Sequence, residues 1–215
     1  MVQYPLSSGK DAWEYIWGPK YFPAKFYSHL HAHIVVPTVY KWIWKSACVL
    51  TTKMFAWLLI SDRLNTRDLL IRRNWKVTDD KHCVLCPLRA YEDRFHLFFN
   101  CNFSIRIWNY LQINWVGGSD IQSTVAAAKR DFGKPFFMEV MILACWHIWK
   151  LRNGKKFQHE RPTFAKWKCN FIHDISLLWH RIKSKNRSAL KVWINSIPWW
   201  SGVFCCFVCI VLAFR

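Results

Sequence analysis

Four residues constrain this chain more than any other feature: Cys83 and Cys86, then His96 and Cys101, arranged as CxxC, nine residues, HxxxxC. Three thiolates and one imidazole suffice to enclose a tetrahedral zinc ion. A CxxC turn offers two sulfurs to one side, and HxxxxC returns the other two ligands. Protein then fills every position and none is left for water, so the pattern points to one structural zinc ion and not to a hydrolytic one. Two other readings fit the CxxC taken alone. It could be a redox pair, or its thiols could be buried small apolar residues in a chain with nine cysteines. Four ligand-type residues at finger-like spacing within residues 83–101 favour the metal.

The flanking residues agree with a metal loop. Pro87 continues the turn, the polar run from Arg89 to Arg94 reads as loop, and Phe95, Leu97, Phe98 and Phe99 surround His96 with apolar side chains able to exclude water. Beyond Cys101, Ile107, Trp108 and Leu111 recur at helical spacing, which places Cys101 just before a helix.

Further motifs stand in a fixed order around this frame: Lys41-Trp-Ile-Trp-Lys45, Phe55-Ala-Trp-Leu-Leu59, the segment Asp62 to Asp68, Cys83-Val-Leu-Cys86 and His96-Leu-Phe-Phe-Asn-Cys101. Together, over residues 37–115, they resemble the zinc-binding domain that follows the reverse transcriptase of plant LINE-type, non-LTR retrotransposons, with no departure at the four ligand positions. The resemblance implies the accessory part of a retroelement protein, apart from its polymerase and endonuclease, and it makes residues 1–36 the link from polymerase to zinc domain.

The expected fold is mainly α: a small helical zinc-binding domain with a CxxC/HxxxxC zinc loop, then a long helical hairpin and an apolar C-terminal helix. Residues 1–36 read as an irregular segment with short elements. His29, His31 and His33 would share a face on a strand, but without nearby cysteines or carboxylates they read as surface histidines. In the zinc domain, 37–115, Tyr40, Ile43 and Trp44 mark a helix from Thr38 to Lys45. Thr51 or Thr52 is the predicted cap of a second helix bearing Phe55, Leu58 and Leu59, and Asn65 or Thr66 that of a third bearing Leu69 and Leu70. Residues 116–134 read as a weakly ordered linker with a short helix at Ile121 to Lys129. In the hairpin region, 135–196, one nearly all-apolar helix runs from Phe136 to Lys150 and exits through Arg152 to Lys156. A second runs from a Thr163 cap to Lys185.

The tail, 197–215, holds eighteen uncharged residues from Ile197 to Phe214 between basic flanks. That length meets the minimum for a transmembrane helix, with the body left on the cytosolic side. A buried helix, or a tail of no structural consequence, are the rivals. Cys206 and Cys209 repeat the CxxC spacing without partner ligands.

A formal charge of +18, from 31 Lys and Arg against 13 Asp and Glu, favours a polyanionic partner, RNA or DNA, or an anionic membrane surface. A zinc thiolate cluster takes that value to +17, so phosphate contact falls to the basic side chains. Arg63, Arg67, Arg72, Arg73 and Lys76 are the local candidates for nucleic-acid contact, with Asp62 and Asp68 among them as rival ion-pair partners. Trp167, Trp179 and Trp193 read as core. No catalytic residues are predicted: paired metal-holding carboxylates, a P-loop and a nucleophile elbow are not seen, and Cys48, Cys145 and Cys169 lack a His and Asp arrangement. The expected function is therefore non-catalytic: a zinc module of retrotransposon origin binding nucleic acid through basic helices. Its alternatives are a protein-interaction zinc module and a remnant without function, membrane-anchored by residues 197–214. The N-terminus lacks a secretory pattern, and free thiols fit an intracellular site, nucleus or cytoplasm. Nucleic-acid sequence and oligomeric state are not encoded in any recognisable pattern.

Overall fold

The computed structural model describes residues 14–76, 81–115 and 120–197. The chain divides into two units, Met1–Val36 and Pro37–Arg215. In the first, Tyr15 bridges to Gly18, and Pro23, whose fixed φ suits the first helical turn, starts α1, Pro23–Leu30. No residue of α1 is buried. His29 lies in this helix and His31 caps its end, so the three histidines do not line a strand.

The second unit is helical, and no strand forms among its described residues beyond the single bridge between His82 and Tyr91. Helices α2, Thr38–Lys45, and α3, Leu50–Ile60, open the unit and pack against each other. The α2 bounds are those its apolar spacing predicts. In α3 the cap differs: Val49 is the cap residue, while Thr52 lies inside the helix and donates its hydroxyl to the Val49 carbonyl at 2.9 Å. Helix α4, Arg67–Arg72, does begin at Thr66, whose Oγ1 accepts from the Leu69 amide at 3.3 Å. After the zinc loop come α5, Asn102–Leu111, and α6, Ile121–Phe132. Asp120 caps α6 through the amides of Gln122 and Ser123. The short helix expected here extends to Phe132, because Ile121, Val125 and Ala128 are buried instead of facing water as a linker would.

Helix α7, Phe137–Gln158, is the central helix of this unit. Val140, Met141, Ala144 and Ile148 are fully buried, as its apolar circumference requires, and α3, α6 and α8 all pack on it. It ends at Gln158, two residues past the predicted exit from Arg152 to Lys156, although Leu151 and Arg152 within that stretch are buried. Helix α8, Phe164–Leu177, starts at the predicted Thr163 cap and pairs with α7. The single long second arm is not formed. A 3-10 turn at Leu178–His180 ends α8, and α9, Ser184–Ser196, begins anew. Arg181 at the break donates Nε to the Ala47 carbonyl at 3.0 Å, while Glu139 of α7 accepts the Ala47 amide at 2.7 Å. The α2–α3 turn is thus clamped from both sides.

Trp167 and Trp193 are buried, as expected of core, and Trp179 is half-buried. No described helix is long and apolar enough to cross a membrane. Apart from the buried Ile197, the predicted C-terminal helix, the candidate span at 197–214 and the Cys206–Cys209 pair lie outside the described residues.

Candidate metal centre

The metal loop opens as a minimal hairpin. The Cys83 amide donates to the Ala90 carbonyl at 2.8 Å, and the Glu92 amide to the Lys81 carbonyl at 3.1 Å. Arg89 takes a left-handed φ of 49° to close the tip. Within the turn, the Leu85 amide points at the Cys83 sulfur at 3.4 Å, partly neutralising thiolate charge.

The HxxxxC half poses a harder geometric problem. On an α-helix five residues rotate the second side chain by roughly 140° from the first, which would send the two ligands apart. The chain resolves this with a π-helical turn, His96–Asn100, closed by the Cys101 amide donating to the His96 carbonyl at 2.6 Å. Asp93 accepts the His96 amide at 2.6 Å at the start of this turn. Its freed carbonyls find side chains: Ser104 Oγ donates to Leu97 O at 2.6 Å, and Trp108 Nε1 to Phe98 O at 2.7 Å. Cys101 then turns extended and becomes the cap residue of α5.

The result gathers Cys83, Cys86, His96 and Cys101, with all four ligand atoms within 4.8 Å of one another and the three cysteines buried. A tetrahedral zinc ion with Zn–S of about 2.3 Å and Zn–N of about 2.0–2.1 Å needs S···S near 3.8 Å and S···N near 3.5 Å. Cys83 and Cys101 sulfurs stand 3.8 Å apart, and Cys86 Sγ is 3.4 Å from His96 Nε2. The residues fit zinc. Burial pushes the His96 imidazole below its ordinary range, keeping it the neutral ligand a metal requires. A hydrogen bond from Cys83 and the amides of Phe103 and Ser104 lower the Cys101 thiol. Cys83 is raised by the same sulfur contact and by burial. The four side chains would hold one zinc ion whose role is to cross-link the loop.

Glu92, unmarked by the sequence reading, joins this loop to the bundle. Its side chain is 0% exposed and forms a bidentate pair with Arg152 of α7, 3% exposed, at 2.6 Å from Nη2 and 3.2 Å from Nε. The Arg67 amide donates to the same carboxylate at 3.2 Å, and the Asp68 amide to the Glu92 carbonyl at 3.1 Å. Glu92 therefore meets the hairpin, α4 and α7 at once. It sits in the polar run read as loop, and nothing in sequence links it to an arginine sixty positions on.

The basic set divides. Arg67 is 4% exposed and buried at the start of α4, which withdraws it from any phosphate. Its four-residue spacing from Arg63 does not create a shared helical face, because α4 begins only at Arg67. Arg72 is exposed but held at 2.7 Å by both Asp62 and Asp68, the rival pairing. These pairs raise the guanidinium above its usual range. Arg63, Arg73 and Lys76 remain exposed.

Residues 10–108 match a family model described as zinc-binding in reverse transcriptase. The match contains all four ligands and ends inside α5, so the chain carries this zinc-binding domain. No curated protein and no solved structure matches the chain.

Proposed function

We propose that the chain is a non-catalytic nucleic-acid-binding module, derived from a plant LINE-type retrotransposon protein, in which zinc orders the scaffold and basic side chains make the contacts. The observation that supports this is where the acids go. Asp62 and Asp68 pair with Arg72, Glu92 with Arg152, and Glu160 with Lys166. Asp93 caps the His96 turn, Glu139 holds the Ala47 amide, and Asp174 faces His147. Much of the small acidic complement is thus consumed by internal contacts, and the excess of basic over acidic residues, +18 from 31 Lys and Arg against 13 Asp and Glu, favours a polyanion. Arg63, Arg73 and Lys76 are the local contact set; Arg67 is buried and Arg72, though exposed, is engaged by Asp62 and Asp68.

The test is binding of RNA and duplex DNA across a salt series. Replacing Arg63, Arg73 and Lys76 with glutamine lowers the slope of log K against log salt by up to about 2–3 if each neutralises one phosphate. An unchanged slope refutes this face, and a flat salt response in the parent refutes the reading. A protein-docking alternative draws on Trp75 and Leu88, both strongly exposed at the end of α4 and in the zinc hairpin. It predicts instead that Leu88→Ser abolishes partner binding without altering nucleic-acid affinity.

A further inference from the structure

We infer that residues 15–27 of the first unit form a stacking platform for single-stranded nucleic acid. Eight residues of α1 expose every side chain, an arrangement that has no value to an isolated core. Tyr21 is 50% and Phe26 42% exposed. They are two members of a closed ring of four aromatic contacts. Tyr15 stacks on Trp17 at 5.7 Å and 10°, Tyr15 meets Tyr21 at 5.4 Å, Trp17 meets Phe26 at 6.1 Å, and Tyr21 meets Phe26 at 5.9 Å. Trp17 is itself oriented by donating Nε1 to the Lys20 carbonyl at 3.2 Å.

Charge decides what lies on these rings. The described residues of this unit, 14–36, contain Lys20 and Lys25 against one carboxylate, Glu14. A patch of flat, mutually braced rings with Lys20 and Lys25 among them and the exposed Glu14 at its start suits a strand that offers π faces and phosphates together, whereas a purely apolar protein face would leave the lysines uncompensated. The occupant is therefore a single strand, bases on Tyr21 and Phe26, phosphates toward Lys20 and Lys25. This surface belongs to the first unit and Arg63, Arg73 and Lys76 to the second, and either can fail without the other.

The experiment uses the full chain, zinc-loaded, and a fluorescent sixteen-nucleotide polyuridine read by anisotropy, with a duplex of equal length as comparison. Tyr21→Leu with Phe26→Leu keeps the apolar surface and removes the π faces. The expected result is a loss of single-strand affinity on the order of 10-fold per ring, with duplex affinity unchanged. Lys20→Gln with Lys25→Gln should lower the single-strand salt slope by about 1.4. Since α1 buries no residue, zinc content and helical circular dichroism should stay at parent values, which separates lost stacking from lost fold. Unchanged single-strand binding in the leucine variant overturns the platform while leaving the basic face near the zinc loop to its own test. Self-association that survives leucine but not alanine at both positions also overturns it, by making the surface a contact between copies.

Discussion

Replacing Arg152 with methionine isolates the tie between metal loop and helical bundle. The substitution keeps much of the side-chain volume but leaves the Glu92 carboxylate, with 0% exposure, facing an apolar wall. Breaking one side of a buried pair costs about 3–5 kcal/mol, a large part of the roughly 5–15 kcal/mol that holds a domain folded. The Arg67 amide still donates to Glu92, which favours the lower end; the lost guanidinium contact with the Trp149 ring, 5.0 Å away, adds to the cost. For a chain of this size the midpoint should fall by roughly 6–20 °C. Glu92→Gln combined with Arg152→Met should recover part of the loss, because no buried charge is left unpaired, and the double-mutant cycle separates the pair from the Trp149 contact. The assay is thermal unfolding by circular dichroism, with zinc release followed in the same samples by a chromophoric chelator. If the carboxylate ties the two parts together, both signals shift down as one. A shift below about 1 kcal/mol, or zinc lost at the parent temperature while the helices melt early, refutes this reasoning.

Cys101→Ser keeps an oxygen suited to capping α5 and removes the thiolate, so elemental analysis should show lost zinc while Cys48→Ser, outside the cluster, retains it; full occupancy in both would dismiss the cluster. His147, 1% exposed and 3.0 Å from Asp174, is held below its ordinary value of 6.5 mainly by burial. The unfolded chain thus takes up the proton first, so the contribution of His147 is complete above about pH 6.5 and is lost as pH falls toward its depressed folded value. His147→Gln should flatten stability against pH in that window relative to the parent, as read from urea midpoints; an identical slope would contradict it. Asp174, also lowered by its histidine contacts, adds the same sign of dependence below about pH 3.8. Asp120→Ala removes the α6 cap and should cost about 1 kcal/mol in urea unfolding, with no change in zinc content.

The zinc ligands and the bounds of α2 were legible because each rests on local chemistry: ligand type and spacing in one case, a short apolar period after Pro37 in the other. The all-round burial of α7 was legible for the same reason. The break between α8 and α9 was not, since residues 178–183 contain neither proline nor glycine and the interruption is held by Arg181 reaching Ala47 across the bundle. The separate placement of Arg63 and Arg67 was not legible. Spacing put Arg63 and Arg67 together only on the premise of one helix, and Thr66 starts that helix too late. Likewise Glu92 and Arg152 each look like surface charge until the tertiary fold encloses both.

Cys101 has two duties in one position, closing the metal cage and opening the helix whose Ile107, Trp108 and Leu111 fill the core. An inserted residue between His96 and Cys101 would misplace a donor and turn that entire apolar stripe by about 100°. Within the metal loop, length variation has room at the exposed tip, Pro87 to Arg89, where added residues disturb neither duty. Any working descendant of this chain should carry its indels there and keep the other interval at four residues.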